Sequence, residues 1–141
     1  MRKTLDTLIR LQRNEIDRLR MVHNALLDRQ DAQFQHLEQI ADSLKAEQSY
    51  CQSQASGEEM TNFGSFSRRM MQKKDAHHRT LQELEPQIEA SQLALNAAFA
   101  ERKRYEILSE RREEAERLEQ ETAAQQFLDE NTILRYQRSF D

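Results

Sequence analysis

The chain has no tryptophan, one proline, two glycines and one cysteine in 141 residues, and only 6% of it is aromatic. A globular domain of this length normally carries many Gly/Pro turns and a larger apolar share than 37%. That composition cannot fill a thick core; it suits a thin seam between long helices. The lone Cys51 excludes an internal disulfide and fits a reducing compartment. No apolar run approaches the ~18–20 residues of a membrane span. The opening Met1-Arg2-Lys3-Thr4-Leu5-Asp6 has no apolar block behind its two positive charges, so it does not read as a secretory signal. A net charge of −4 and a pI near 5.6 give no electrostatic footprint for nucleic acid. These absences lead to the expectation of a cytoplasmic protein without direct membrane insertion, able to reach a membrane-bound machine through a partner.

What is present is a dense run of Leu, Glu, Gln, Arg and Ala on both sides of one break. Ser56 to Ser65 contains both glycines, Gly57 and Gly64. Glycine is the usual residue where a helix stops in a left-handed conformation, and Asn62 or Ser65 can cap a new helix. Before the break, helix 1 is expected over about 3–55. Alternate steps of four and three from Leu5 reach Ile9, Gln12, Ile16, Leu19, His23, Leu26, Gln30, Gln33, Leu37, Ile40, Leu44, Glu47, Cys51 and Gln54. Nine of these fifteen are apolar, counting Cys51, which argues for a heptad seam rather than disorder. The polar members can fix register at a cost in stability. Leu8, Val22, Phe34 and Ala41 are expected to widen the stripe.

After a turn at about 56–65, helix 2 is expected over about 66–137. Its seam reads Phe66, Met70, Lys73, His77, Leu81, Leu84, Ile88, Ser91, Leu95, Ala98, Arg102, Tyr105. Leu108, Ala115, Leu118 and Thr122 then keep an apolar face one step early. Either the coil overwinds there or the partner helix has run out. Pro86 removes a backbone hydrogen bond and crowds the preceding turn, so a bend or kink near Glu85 is expected. At ~1.5 Å per residue the helices would span roughly 80 and 100 Å. Folded at the break, residue i meets roughly residue 120 − i, leaving Gln120 to Asp141 as an overhang with Phe127, Leu128, Ile133, Leu134, Tyr136 and Phe140. Charge supports the fold-back: residues 31–60 carry one Lys and six acids, whereas residues 61–80 carry five basic residues and one acid. The fold class expected is all-α, a long antiparallel two-helix coiled-coil hairpin forming a single domain.

No catalytic constellation emerges, and no cofactor is expected. Two glycines seven apart cannot build a phosphate-cradling loop. His77 and His78 point about 100° apart on a helix and have no i+4 His or Cys partner, so no metal site is expected. Nothing near Cys51 activates it as a nucleophile, and Glu113-Glu114 reads as a solvated face. Tyr50, Phe63 and Phe66 cluster at the break, where they either cap the seam or form an exposed partner patch.

The stretch Ala97-Ala98-Phe99-Ala100-Glu101-Arg102-Lys103-Arg104-Tyr105-Glu106-Ile107-Leu108-Ser109-Glu110-Arg111-Arg112 has an aromatic residue, a basic cluster and Glu-x-Leu-x-x-Arg. It resembles the most recognisable segment of the flagellar export protein FliJ family. Gln126-Phe127-Leu128-Asp129-Glu130 resembles that family's C-terminal ending, and Leu5-Asp6-Thr7-Leu8-Ile9-Arg10-Leu11 its N-terminal start. Pro86 and the acidic Asp141 depart from the pattern. The resemblance implies a non-enzymatic stalk of the flagellar type III export apparatus, similar to the central stalk of rotary ATPases. Its implied partners are the hexameric export ATPase, the membrane export-gate protein and export chaperones. It also implies peripheral association with the inner membrane through that apparatus. On this picture Leu5, Leu8, Phe127 and Leu128 belong to the ATPase end, and Tyr50, Phe63 and Phe66 to the gate end. The rival expectations are an injectisome stalk, or a small cytosolic coiled-coil chaperone or adaptor holding a partner's amphipathic helix.

Overall fold

The computed structural model describes residues 2–54 and 57–140, excluding the side chains of Arg2, Gln54 and Phe140. All described residues are helical, in two elements: α1, Arg2–Gln54, and α2, Gly57–Phe140. The two pack against each other as an antiparallel hairpin. Contacts divide the chain into two units, Met1–Asn14 with Ala98–Asp141, and Glu15–Ala97.

The expected turn is corrected in length. Gly57 to Ser65 lie inside α2, and the reversal falls between Gln54 and Gly57. Ala55 and Ser56 lie outside the described residues. Neither glycine has a positive φ, and a Cβ at either would meet nothing within 4 Å. The glycines therefore do not serve as left-handed stops, and Asn62 and Ser65 are helix-interior residues rather than caps. Two acids, Glu58 and Glu59, occupy the first turn of α2, where negative charge complements the helix dipole. Thr61 Oγ1 also donates to the Gly57 carbonyl at 3.0 Å.

The seam follows the 3.5-residue period. On α1, Leu5, Ile9, Gln12, Ile16, Leu19, His23, Leu26, Gln30, Gln33, Leu37, Ile40, Leu44 and Cys51 are buried or half-buried. On α2 the same holds for Phe66, Met70, His77, Leu81, Leu84, Ile88, Ser91, Leu95, Ala98, Arg102 and Tyr105. Glu47 and Lys73 are exposed, because a charged side chain at a seam position is better solvated than desolvated. Leu8, Val22, Phe34 and Ala41 are exposed too, so the seam is narrower than the stripe expected. With two helices, only the residues that point directly at the other helix lose their water.

Polar seam residues lock the register. Gln12 Nε2 donates to the Ala98 carbonyl at 3.0 Å, His23 Nδ1 and Ser91 Oγ lie 3.1 Å apart, and His77 Nδ1 lies 2.6 Å from Gln33 Oε1. In each unit the paired numbers add to between 110 and 114 rather than 120. The end of α1 at Gln54 and the start of α2 at Gly57, instead of a turn over 56–65, account for this shift. α2 consequently leaves its partner earlier than expected. The seam continues in phase to half-buried Ser109, then residues 110–130 are all exposed. There is no early step onto Leu108, which lies one position off the buried face and is exposed, as are Ala115, Leu118 and Thr122.

α2 runs unbroken through Pro86. Proline there leaves the Gln82 carbonyl without its usual intrahelical donor. One residue on, Gln87 Nε2 donates to the Glu83 carbonyl at 3.2 Å, adding a side-chain bond to the same stretch of helix.

Candidate partner-binding surfaces

Near the reversal, in the Glu15–Ala97 unit, the last turn of the seam opens into a cleft of about 360 Å³. Glu47, Tyr50 and Cys51 of α1 face Glu59, Asn62, Phe63, Phe66 and Arg69 of α2 across it. Cys51 Sγ donates to the Glu59 carbonyl at 3.8 Å, which places the thiol in the helix pairing. Phe63 and Phe66 are half-buried, whereas Tyr50 is 49% exposed. The cluster divides the two roles expected of it: the phenylalanines close the seam and the tyrosine faces solvent.

The other unit carries Leu5, Leu8, Phe127 and Leu128. Leu5 is buried, and Leu8 lies with Thr4, Tyr105, Leu108 and Arg112 around an apolar groove of about 240 Å³ beside it. Phe127 and Leu128 are 65% and 57% exposed. Nineteen residues of helix separate Leu108 from Phe127, or about 28 Å of rise. The N-terminal leucines and the Phe127–Leu128 pair are thus not brought together; they are separate surfaces on one unit. The earlier end of the helix pairing is the reason.

Beyond the pairing, Leu118, Phe127, Leu128, Ile133, Leu134 and Tyr136 are all more than half exposed. At 100° per residue, Phe127 and Leu134 fall on one side of α2, with Leu118, Ile133 and Tyr136 on the opposite side and Leu128 between. The two sides were not part of the sequence expectation for this overhang. The seven-residue spacing of Phe127 and Leu134, and the eighteen-residue, five-turn spacing of Leu118 and Tyr136, carry that signal. On this stretch Arg117 pairs with Glu114 and Glu121 along the helix, as Glu101–Arg104 and Arg102–Glu106 do within the paired part of α2.

Tyr105, at the groove, has its hydroxyl pushed above the ordinary tyrosine value of about 10. Its hydrogen bond to the Glu101 carboxylate is the first cause, followed by desolvation and the carboxylate's negative charge. The neutral phenol is the form that donates this bond. Its contribution is therefore full below the unfolded-state value and fades as pH rises through the higher folded value. Glu101→Gln is expected to lower the Tyr105 midpoint in an ultraviolet phenolate titration; an unchanged midpoint would contradict the bond.

His77 is half-buried in the seam and His78 is exposed at its edge. Among the described residues, no group of three or more His, Cys, Asp or Glu could hold a metal ion, and no helix is long and apolar enough to cross a membrane.

The family description "Flagellar FliJ protein" matches residues 1–140. The chain belongs to the FliJ family. No curated protein and no solved structure matches it at a significant level. Membership makes this FliJ-family chain a component of flagellar type III protein export. It also agrees with the resemblance carried by Ala97–Arg112 and Gln126–Glu130.

Proposed function

We propose that this FliJ-family chain is a non-enzymatic stalk that couples the hexameric flagellar export ATPase to the membrane export gate. The observation that carries the reading is the stretch of α2 beyond Ser109. Residues 110–130 are all exposed, yet this end of α2 holds large apolar side chains on opposite sides. A helix that is apolar on more than one side is stable when enclosed, and the central opening of a ring-shaped ATPase encloses a helix in this way. Phe127 and Leu128, with the Leu5–Leu8 groove, form the ATPase-binding set. Tyr50, Phe63 and Phe66, at the cleft beside the reversal, form the gate-binding set. Export chaperones are further partners, and the chain is held at the inner membrane through the apparatus rather than by a span of its own. The mechanism is mechanical: a partner's hydrolysis turns or displaces the enclosed helix, and the paired helices carry that displacement to the other partner.

Adding the purified chain to a purified hexameric export ATPase is expected to raise its hydrolysis rate several-fold, with none from the chain alone. Absence of both stimulation and pull-down would overturn the stalk. It would favour an adaptor that takes a partner's amphipathic helix in the Leu5–Leu8–Leu108 groove.

A further inference from the structure

Within the Glu15–Ala97 unit, two histidines from opposite helices are stacked. The rings of His36 on α1 and His77 on α2 have centroids 4.9 Å apart and planes 14° from parallel. His77 Nδ1 lies 2.6 Å from Gln33 Oε1. An amide oxygen only accepts, so His77 Nδ1 carries a proton and donates, leaving Nε2 as the nitrogen that takes up a second one. This arrangement ties one ring to α1 twice, through an edge bond to Gln33 and a face contact with His36.

The cavity beside the stack holds nothing that would offset added positive charge. The adjoining cavity is lined on α1 by His36, Gln39, Ile40 and Ser43, and on α2 by Met70, Lys73 and His77. Lys73 is the remaining charged member of that lining, and it has the same sign as a protonated imidazole. No carboxylate is among the residues lining it. One charged ring can rest on the face of a neutral one. Two charged rings at this separation repel, with the Lys73 ammonium beside them.

We propose that the His36–His77 stack is a proton-sensitive clamp on the pairing of α1 and α2. It holds while at least one ring is neutral and is released when both are charged. The sign follows directly: the stabilisation is present at neutral pH and is lost on acidification. His36 is exposed, so the repulsion reaches solvent and is screened by salt. The clamp stands independently of the stalk reading, because it concerns only how the two helices hold each other.

Thermal unfolding of the full chain by far-ultraviolet circular dichroism tests it. The interval is about pH 7.5 to 5.5, where histidine changes charge. The wild-type midpoint is expected to fall at least about 3 °C further than that of His36→Gln across this interval. The excess should shrink by half or more in roughly 0.5 M salt. Lys73→Gln, which removes the like charge without touching the stack, should reduce the excess in part. His78→Gln, at an exposed position outside the seam, should behave as wild type. The clamp is overturned if His36→Gln and Lys73→Gln both keep the full wild-type loss. It is equally overturned if salt leaves the excess unchanged, or if His78→Gln abolishes it.

Discussion

Replacing Leu84 by alanine is expected to cost about 2–4 kcal/mol of folding stability. Leu84 and Ile16 are each 1% exposed, the most deeply buried large side chains of the Glu15–Ala97 unit. The apolar residues that reach full burial among those described are Leu5, Ile16, Ile40, Leu84, Leu95 and Ala98. With so short a set, one leucine is a large fraction of the ~5–15 kcal/mol that holds an ordinary domain. Truncation removes its transfer energy and leaves a void between two helices. The range stays below the maximum for globular cores because a thin seam lets neighbouring side chains and water relax into the gap. Urea unfolding followed by circular dichroism measures the cost. Leu93→Ala, at a position 63% exposed, should change stability by no more than about 0.5 kcal/mol. If the two substitutions cost the same, the seam does not hold the hairpin together.

The second large effect is functional. The Phe127→Ala, Leu128→Ala double variant is expected to lose at least about tenfold in capture of the export ATPase, comparable to the removal of two binding anchors. Its melting midpoint should stay within about 2 °C of wild type, because neither side chain is covered within the chain. Leu5→Ala makes the contrast. Leu5 is buried between the helices, so its loss should lower stability together with binding. Surface plasmon resonance and thermal melts on the same preparations separate the cases. Wild-type binding by the double variant would remove Phe127 and Leu128 from the ATPase-binding set and leave the groove beside Leu5 as the remaining candidate.

Much of this was legible from spacing. The four–three stepping from Leu5 to Cys51 identified the buried face of α1 almost residue by residue, because a heptad period is a property of the helix itself. Spacing alone misassigned Glu47 and Lys73, which occupy seam positions but remain in solvent because a charged side chain resists desolvation. The reversal was less legible. Two glycines and potential caps suggested a ten-residue turn, but glycine tolerates an ordinary helical conformation when nothing enforces another. At Gly57 and Gly64 nothing does. The misplaced turn carried through to the pairing rule, and from there to the point at which the seam of α2 stops, at Ser109.

The sequence by itself determined that the chain is helical, that each helix buries one narrow stripe, and that Ala97–Arg112 resembles the FliJ family. Local propensity, period and residue type are enough for those. Tertiary structure decided which residues face each other. Gln12 meets the Ala98 backbone, His23 meets Ser91, and His77 meets both Gln33 and His36. It also decided that the groove at Leu5 and Leu8 stands apart from Phe127 and Leu128. Such pairings depend on where the chain turns. A shift of a few residues at the reversal moves every partner along the opposite helix, while the period that shapes each helix stays the same.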